Sequence, residues 1–102
     1  MFIRLNTQEI IDSACHFCSK REGRAPHHFQ VNLRFDQGRG ISADVLETGM
    51  FRDKEHFMNE QNVIDAVCEF LADVHNFNIN LMDVELAFSH GEGFSANVRV
   101  GE

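Results

Sequence analysis

Twice along this chain the spacing of apolar residues switches from a helical period to an alternating one. In the first passage Ile11, Ala14, Cys15 and Cys18 share one stripe of a helix running from about Thr7 to Arg21. Val31, Leu33 and Phe35 then alternate with Asn32 and Arg34, as in a half-buried strand. In the second passage Ile64, Val67, Cys68 and Leu71 form the stripe, and Phe94, Ala96, Val98 and Val100 are the inward positions of the closing strand. Leu5-Asn6-Thr7-Gln8-Glu9-Ile10-Ile11-Asp12 returns 53 residues later as Met58-Asn59-Glu60-Gln61-Asn62-Val63-Ile64-Asp65. At the same offset Val31–Phe35 matches Val84–Phe88, and Gly40–Val45 matches Gly93–Val98, without a gap. A single unit has been duplicated.

The punctuation is duplicated too. Asn6 and Asn59 stand as helix N-caps, each between the two apolar residues of a hydrophobic staple, Leu5 with Ile10 and Met58 with Val63. Glu9 completes a capping box in the first copy; Asn62 stands there in the second and predicts a weaker box. Gly23 and Pro26 end the first helix, and His75, Asn76 and Asn78 the second. Asp36-Gln37-Gly38-Arg39-Gly40 and Ser89-His90-Gly91-Glu92-Gly93 read as hairpin loops. Met1–Arg4 predicts a stub of edge strand. The charge-loaded segment from Met50 to Phe57 predicts a further strand at an edge, where Arg52, Asp53, Lys54 and Glu55 discourage pairing with another chain.

These elements give a two-layer α+β domain of internally duplicated α-β-β units in the order α-β-β-β-α-β-β. Its sheet is mainly antiparallel, with two helices on one face and the halves related by a pseudo-twofold. The repeats span about 5–45 and 58–98, joined by the extra strand at about 50–57. With 102 residues, a single domain is expected.

The hairpin signature Gly93-Phe94-Ser95-Ala96, the alternating Val84-Glu85-Leu86 before it and the helix start Ile64-Asp65-Ala66-Val67-Cys68 resemble the YxcD-like family of small uncharacterised Gram-positive bacterial proteins. The resemblance implies a short α+β protein and brings no activity with it. Cys18, the His27-His28 pair and the many Phe depart from that pattern.

Composition narrows the function classes. A net charge of −7 disfavours nucleic acid and anionic membrane surfaces as partners. Asn59-Glu60-Gln61-Asn62 also lacks the basic residues with which double-stranded RNA-binding domains meet phosphate at the start of their second helix. No apolar run reaches 18 residues and the N-terminus lacks a signal-peptide core, so a cytoplasmic protein with three free thiols is expected. Ten Phe and no Trp or Tyr point to core packing more than to a wet binding rim.

Four soft ligands lie close in sequence: Cys15 and Cys18 as a C-x-x-C, and His27 and His28 just beyond. They are the candidate metal site, for zinc. The repeat offers a competing account, because Cys15 aligns with Cys68 and Cys18 with Leu71 on the core stripe. The C-x-x-C lies too far into the helix for an activated redox thiol. Asp12 and Asp65 recur at one position and are the only paired-carboxylate candidates, more simply read as solvated. The glycine-rich loops join strand to strand, whereas a dinucleotide loop must open a helix. The outward residues Asn32, Arg34, Ser42, Asp44, Glu85, Ser95, Asn97 and Arg99 form a polar face of mixed sign. The expected function is therefore a small non-enzymatic protein-interaction or self-association module, with no cofactor and a homodimer as one form. The alternative is a zinc-binding protein.

Overall fold

Asn6 and Asn59 start two helices by one chemistry, and the rest of the fold is set from those two points. In the computed structural model, which describes residues 1–101, Asn6 accepts from the Glu9 amide at 2.9 Å while Glu9 accepts from the Asn6 amide at 3.0 Å. Asn59 and Asn62 make the same reciprocal pair at 2.8 and 3.1 Å. The box expected to be weaker is complete, because the amide oxygen of Asn62 reaches the cap as the carboxylate of Glu9 does. The helices are α1 (Thr7–Glu22) and α2 (Glu60–His75). Gly23 and Asn76 end them in the left-handed conformation.

Strand β1 (Phe2–Leu5) precedes α1, and β2 (Phe29–Asp36) and β3 (Gly40–Glu47) follow it. Strand β4 (Lys54–Met58) precedes α2, and β5 (Met82–Ser89) and β6 (Gly93–Val100) follow it. Short 3-10 turns at Pro26–His28 and Ile79–Leu81 lead into β2 and β5. The α+β class, the duplicated α-β-β units and the antiparallel pairing are as the sequence predicts. Each unit also carries a strand in front of its helix. In the charged segment only Lys54–Met58 is strand; residues 48–53 form a loop.

The strands form two three-stranded antiparallel sheets in the orders β1-β6-β5 and β2-β3-β4. Each sheet therefore consists of the hairpin of one half and the leading strand of the other. The exchange is symmetric in register: Ile3 lies opposite Val98, and its counterpart His56 lies opposite Val45. β4 is an edge strand, as its charge suggests.

A second pair of ties crosses the halves at the helix starts. Thr7 Oγ1 accepts from the Phe94 amide at 2.9 Å, and the Glu60 carboxylate accepts from the Ile41 amide at 2.8 Å. Gly93 and Gly40 make this approach possible. Both sit at φ +82°, and a β-carbon on either would run into the Thr7 hydroxyl or the Glu60 carboxylate.

The core lies between the helices and the inner faces of both sheets, with Ile10, Val45, Val63, Val67 and Val98 fully buried. The helices are rotated from the expected stripe. Ile10, Ser13, Ala14, Phe17 and Cys18 are buried on α1, and Val63, Ala66, Val67 and Leu71 on α2, while Ile11, Cys15, Ile64 and Cys68 are only partly covered. The reason is the second helix. Ser13, His16 and Lys20 form one row on α1, and its outer members meet α2 at Asp73, His16 at 2.9 Å and Lys20 at 2.7 Å. Ser13 is turned inward with the apolar residues and resolves its burial by donating to the Glu9 carbonyl. Phenylalanine also departs from expectation. Phe2, Phe35, Phe51 and Phe57 are exposed, because they occupy outward strand positions, a strand end and a loop. Phe35 on β2 stacks on Phe88 of β5 at 5.1 Å, joining the two sheets.

Candidate functional site

Where α1 ends, β3 ends and β4 begins, the chain gathers five ionisable side chains. Glu47, the last residue of β3, faces inward and is 7% exposed. Its Oε1 lies 2.8 Å from His56 Nε2, and its Oε2 accepts from Arg24 Nη1 at 3.1 Å. Glu22, the last residue of α1, brings Oε1 within 3.9 Å of the same His56 nitrogen and accepts from Lys54 at 3.1 Å. Arg24 also donates to the Thr48 carbonyl at 2.6 Å and lies 3.1 Å from His28 Nδ1. Glu22, Glu47 and His56 form the one group of three metal-ligand side chains among the described residues whose donor atoms all lie within 4.8 Å of one another.

The His56 hydrogen bond, and then Arg24, hold the Glu47 carboxyl below the usual carboxylate range against the opposing effect of burial. Burial, the neighbouring Arg24 and His27 push the His28 imidazole down.

Among the described residues the other half carries no such group. At the offset of 53 residues, Glu22, Arg24, Glu47, Lys54 and His56 correspond to His75, Phe77, Val100, Met1 and Ile3. Ile3, Phe77 and Val100 belong to the core or pack against it. One half thus places Ile3, Phe77 and Val100 where the other places His56, Arg24 and Glu47.

The residues singled out in the sequence fall elsewhere. Cys18 is buried in the core, whereas Cys15 is partly covered and donates weakly to the Phe29 carbonyl at 3.6 Å. The rings of His27 and His28 lie with centres 4.3 Å apart, tilted by 35° to each other. Cys15, Cys18, His27 and His28 supply no group of three whose donor atoms converge within 4.8 Å. Burial raises all three thiols, with Cys18 pushed up to about 11. Asp12 and Asp65 each accept from a glutamine one turn earlier, Gln8 and Gln61, at 2.9 Å. Sequence spacing does not reveal the Glu22–Glu47–His56 group, because its members come from three elements. The signal that was available is the mismatch between halves at those positions.

Beside this group, the loop at residues 48–53 is pinned at its base by Arg24 on the Thr48 carbonyl, by the Thr48 amide on the His28 carbonyl at 2.8 Å, and by the Gly49 amide on Asp53 at 3.2 Å. Its tip holds out Met50 and Phe51, 90% and 95% exposed. On the outer sheet faces Asn32, Arg34, Glu85, Asn97 and Arg99 are exposed, and Arg34 pairs with Asp44 at 3.0 Å. Ser42 of that set is buried.

A sequence model of the family described as "Protein of unknown function (DUF2653)" matches residues 1–57 and 54–102. The chain belongs to this family. Both matched segments begin ahead of a helix and take in its leading strand, in keeping with the β-α-β-β unit of the fold. The chain is 33% identical to "Uncharacterized protein YxcD" of Bacillus subtilis (strain 168), over all of its own length and 97% of that protein's. No solved structure matches. Among the described residues no helix is long and apolar enough to cross a membrane.

Proposed function

We propose that the protein is a non-enzymatic protein-interaction module that pairs first with a second copy of itself. The observation that carries this reading is the loop tip. Met50 and Phe51 are almost wholly solvated although the base of their loop is held by three hydrogen-bonded anchors. An apolar pair presented this way loses little conformational freedom on docking, and burying each side chain yields about 1.5–3 kcal/mol. The polar face of mixed sign suits a second copy, since a twofold brings each patch against itself. Raised thiols, and carboxylates already engaged with glutamine, arginine or lysine, support a role other than nucleophilic catalysis.

Light scattering on the size-fractionated full chain tests this. The parent is expected to form dimers that strengthen with salt, because a charge of −7 makes two copies repel. Replacing Met50 and Phe51 together by Ser should leave the melt unchanged and shift the protein to monomer. A parent that stays monomeric at every concentration and salt would remove self-pairing.

A further inference from the structure

Two carboxylates at one end of this molecule have no carboxylate at the corresponding positions of the other half. Glu22 closes α1 at the negative end of the helix dipole, where α2 ends instead on His75. Glu47 is buried where its counterpart Val100 packs in the core. A buried ion pair is commonly no more stable than the apolar packing that replaces it, and in the other half Ile3 and Val100 stand at the positions of His56 and Glu47. The fold closes the corresponding end of the other half with that apolar pair, so it does not require this ionic group.

The three side chains bring one imidazole nitrogen and two carboxylate oxygens within 4.8 Å of one another. His56 Nε2 is 2.8 Å from Glu47 Oε1 and 3.9 Å from Glu22 Oε1. Bonds of about 2.0–2.2 Å to one ion bring neighbouring donors to roughly 3.0–3.5 Å, a shift of less than an ångström for these two contacts. The remaining oxygen of Glu47 is fixed by Arg24, and ligand carboxylates are typically oriented in this way from behind. Lys54 holds Glu22 Oε1 with a largely exposed side chain that can swing into water. With Lys54 swung away, the two carboxylates and Arg24 together leave one negative charge facing the ion. An imidazole with two carboxylates suits first-row ions such as Zn, Co, Mn or Fe better than Mg or Ca.

We propose that Glu22, Glu47 and His56 bind one divalent first-row transition-metal ion, with Arg24 positioning Glu47 and Lys54 competing for Glu22. The ion ties the end of α1 to the neighbouring strands β3 and β4, beneath the loop at residues 48–53.

The test is a titration of the untagged, chelator-stripped full chain with Co²⁺, read by visible absorbance, with Zn²⁺ as competitor. One Co²⁺ per chain, displaced by Zn²⁺, is expected, together with a raised melting temperature. Glu22→Gln and His56→Asn should each weaken binding at least ten-fold. Lys54→Met should tighten it several-fold. The double variant Cys15→Ser, Cys18→Ser should bind as the parent does. Glu22 lies at the rim, so its variant keeps the test open if His56→Asn fails to fold. The proposal is overturned by the absence of stoichiometric Co²⁺, by Glu22→Gln binding as the parent does, by loss of binding in the cysteine variant, or by equally tight Mg²⁺.

Discussion

Asp73 shows how single residues set the pH response of this molecule. Hydrogen bonds from Lys20, then His16, hold its carboxyl below the ordinary aspartate value. A depressed carboxyl adds stability above its unfolded pKa of about 3.9, and that contribution is lost as pH falls through the lower folded value. Thermal melts should therefore show the parent losing stability as pH drops below about 4. Asp73→Asn should start less stable at neutral pH and show a flatter acid limb. Because the group is exposed at the helix–helix rim, the effect is small, and equal acid limbs in the two proteins would show that the pair contributes nothing. The same scale holds the main surprise of the candidate site. Cys15, Cys18, His27 and His28 were visible because they are neighbours in sequence. Glu22, Glu47 and His56 become neighbours only once a helix end and two strands are placed.

At the scale of elements, the caps were the most legible feature. Asn6 and Asn59 and their staples are local chemistry, decided within one turn of the chain. Asn59→Ala should cost about 1 kcal/mol in a urea titration, close to the cost of Asn6→Ala, because both cap oxygens bond the amide three residues on. A loss for Asn59→Ala indistinguishable from zero would show that the second box is ornamental. The rotation of both helices was less legible. A stripe marks which residues are apolar, but Ser13 and Ala66 are buried completely by the packing of α1 beside α2 as well as on the sheets. Two burial directions widen the covered face, and the small residues Ser13 and Ala66 are drawn in with it.

For the whole molecule, the decisive feature is the exchange of leading strands. β1 belongs by sequence to the first half and by pairing to the second, and β4 the reverse. The ties from Thr7 to Phe94 and from Glu60 to Ile41 cross in the same sense. Cutting the exposed loop at residues 48–53 with a protease should therefore leave two fragments that elute together under native conditions and part only in denaturant. Fragments that separate in native buffer would show that the halves are held by the covalent link alone.

Sequence by itself determined the local grammar: two capped helices, two glycine-closed hairpins, one duplicated unit and membership of an α+β class. These features arise from interactions within a few residues and from the periodicities of helix and strand, both of which are written along the chain. Which hairpin each leading strand completes, which face each helix buries, and that Glu22, Glu47 and His56 meet at one end of the pseudo-twofold emerge only with the fold. Those outcomes depend on contacts between segments far apart in the chain, where the free energy of burial is shared among many partners and no single spacing records it.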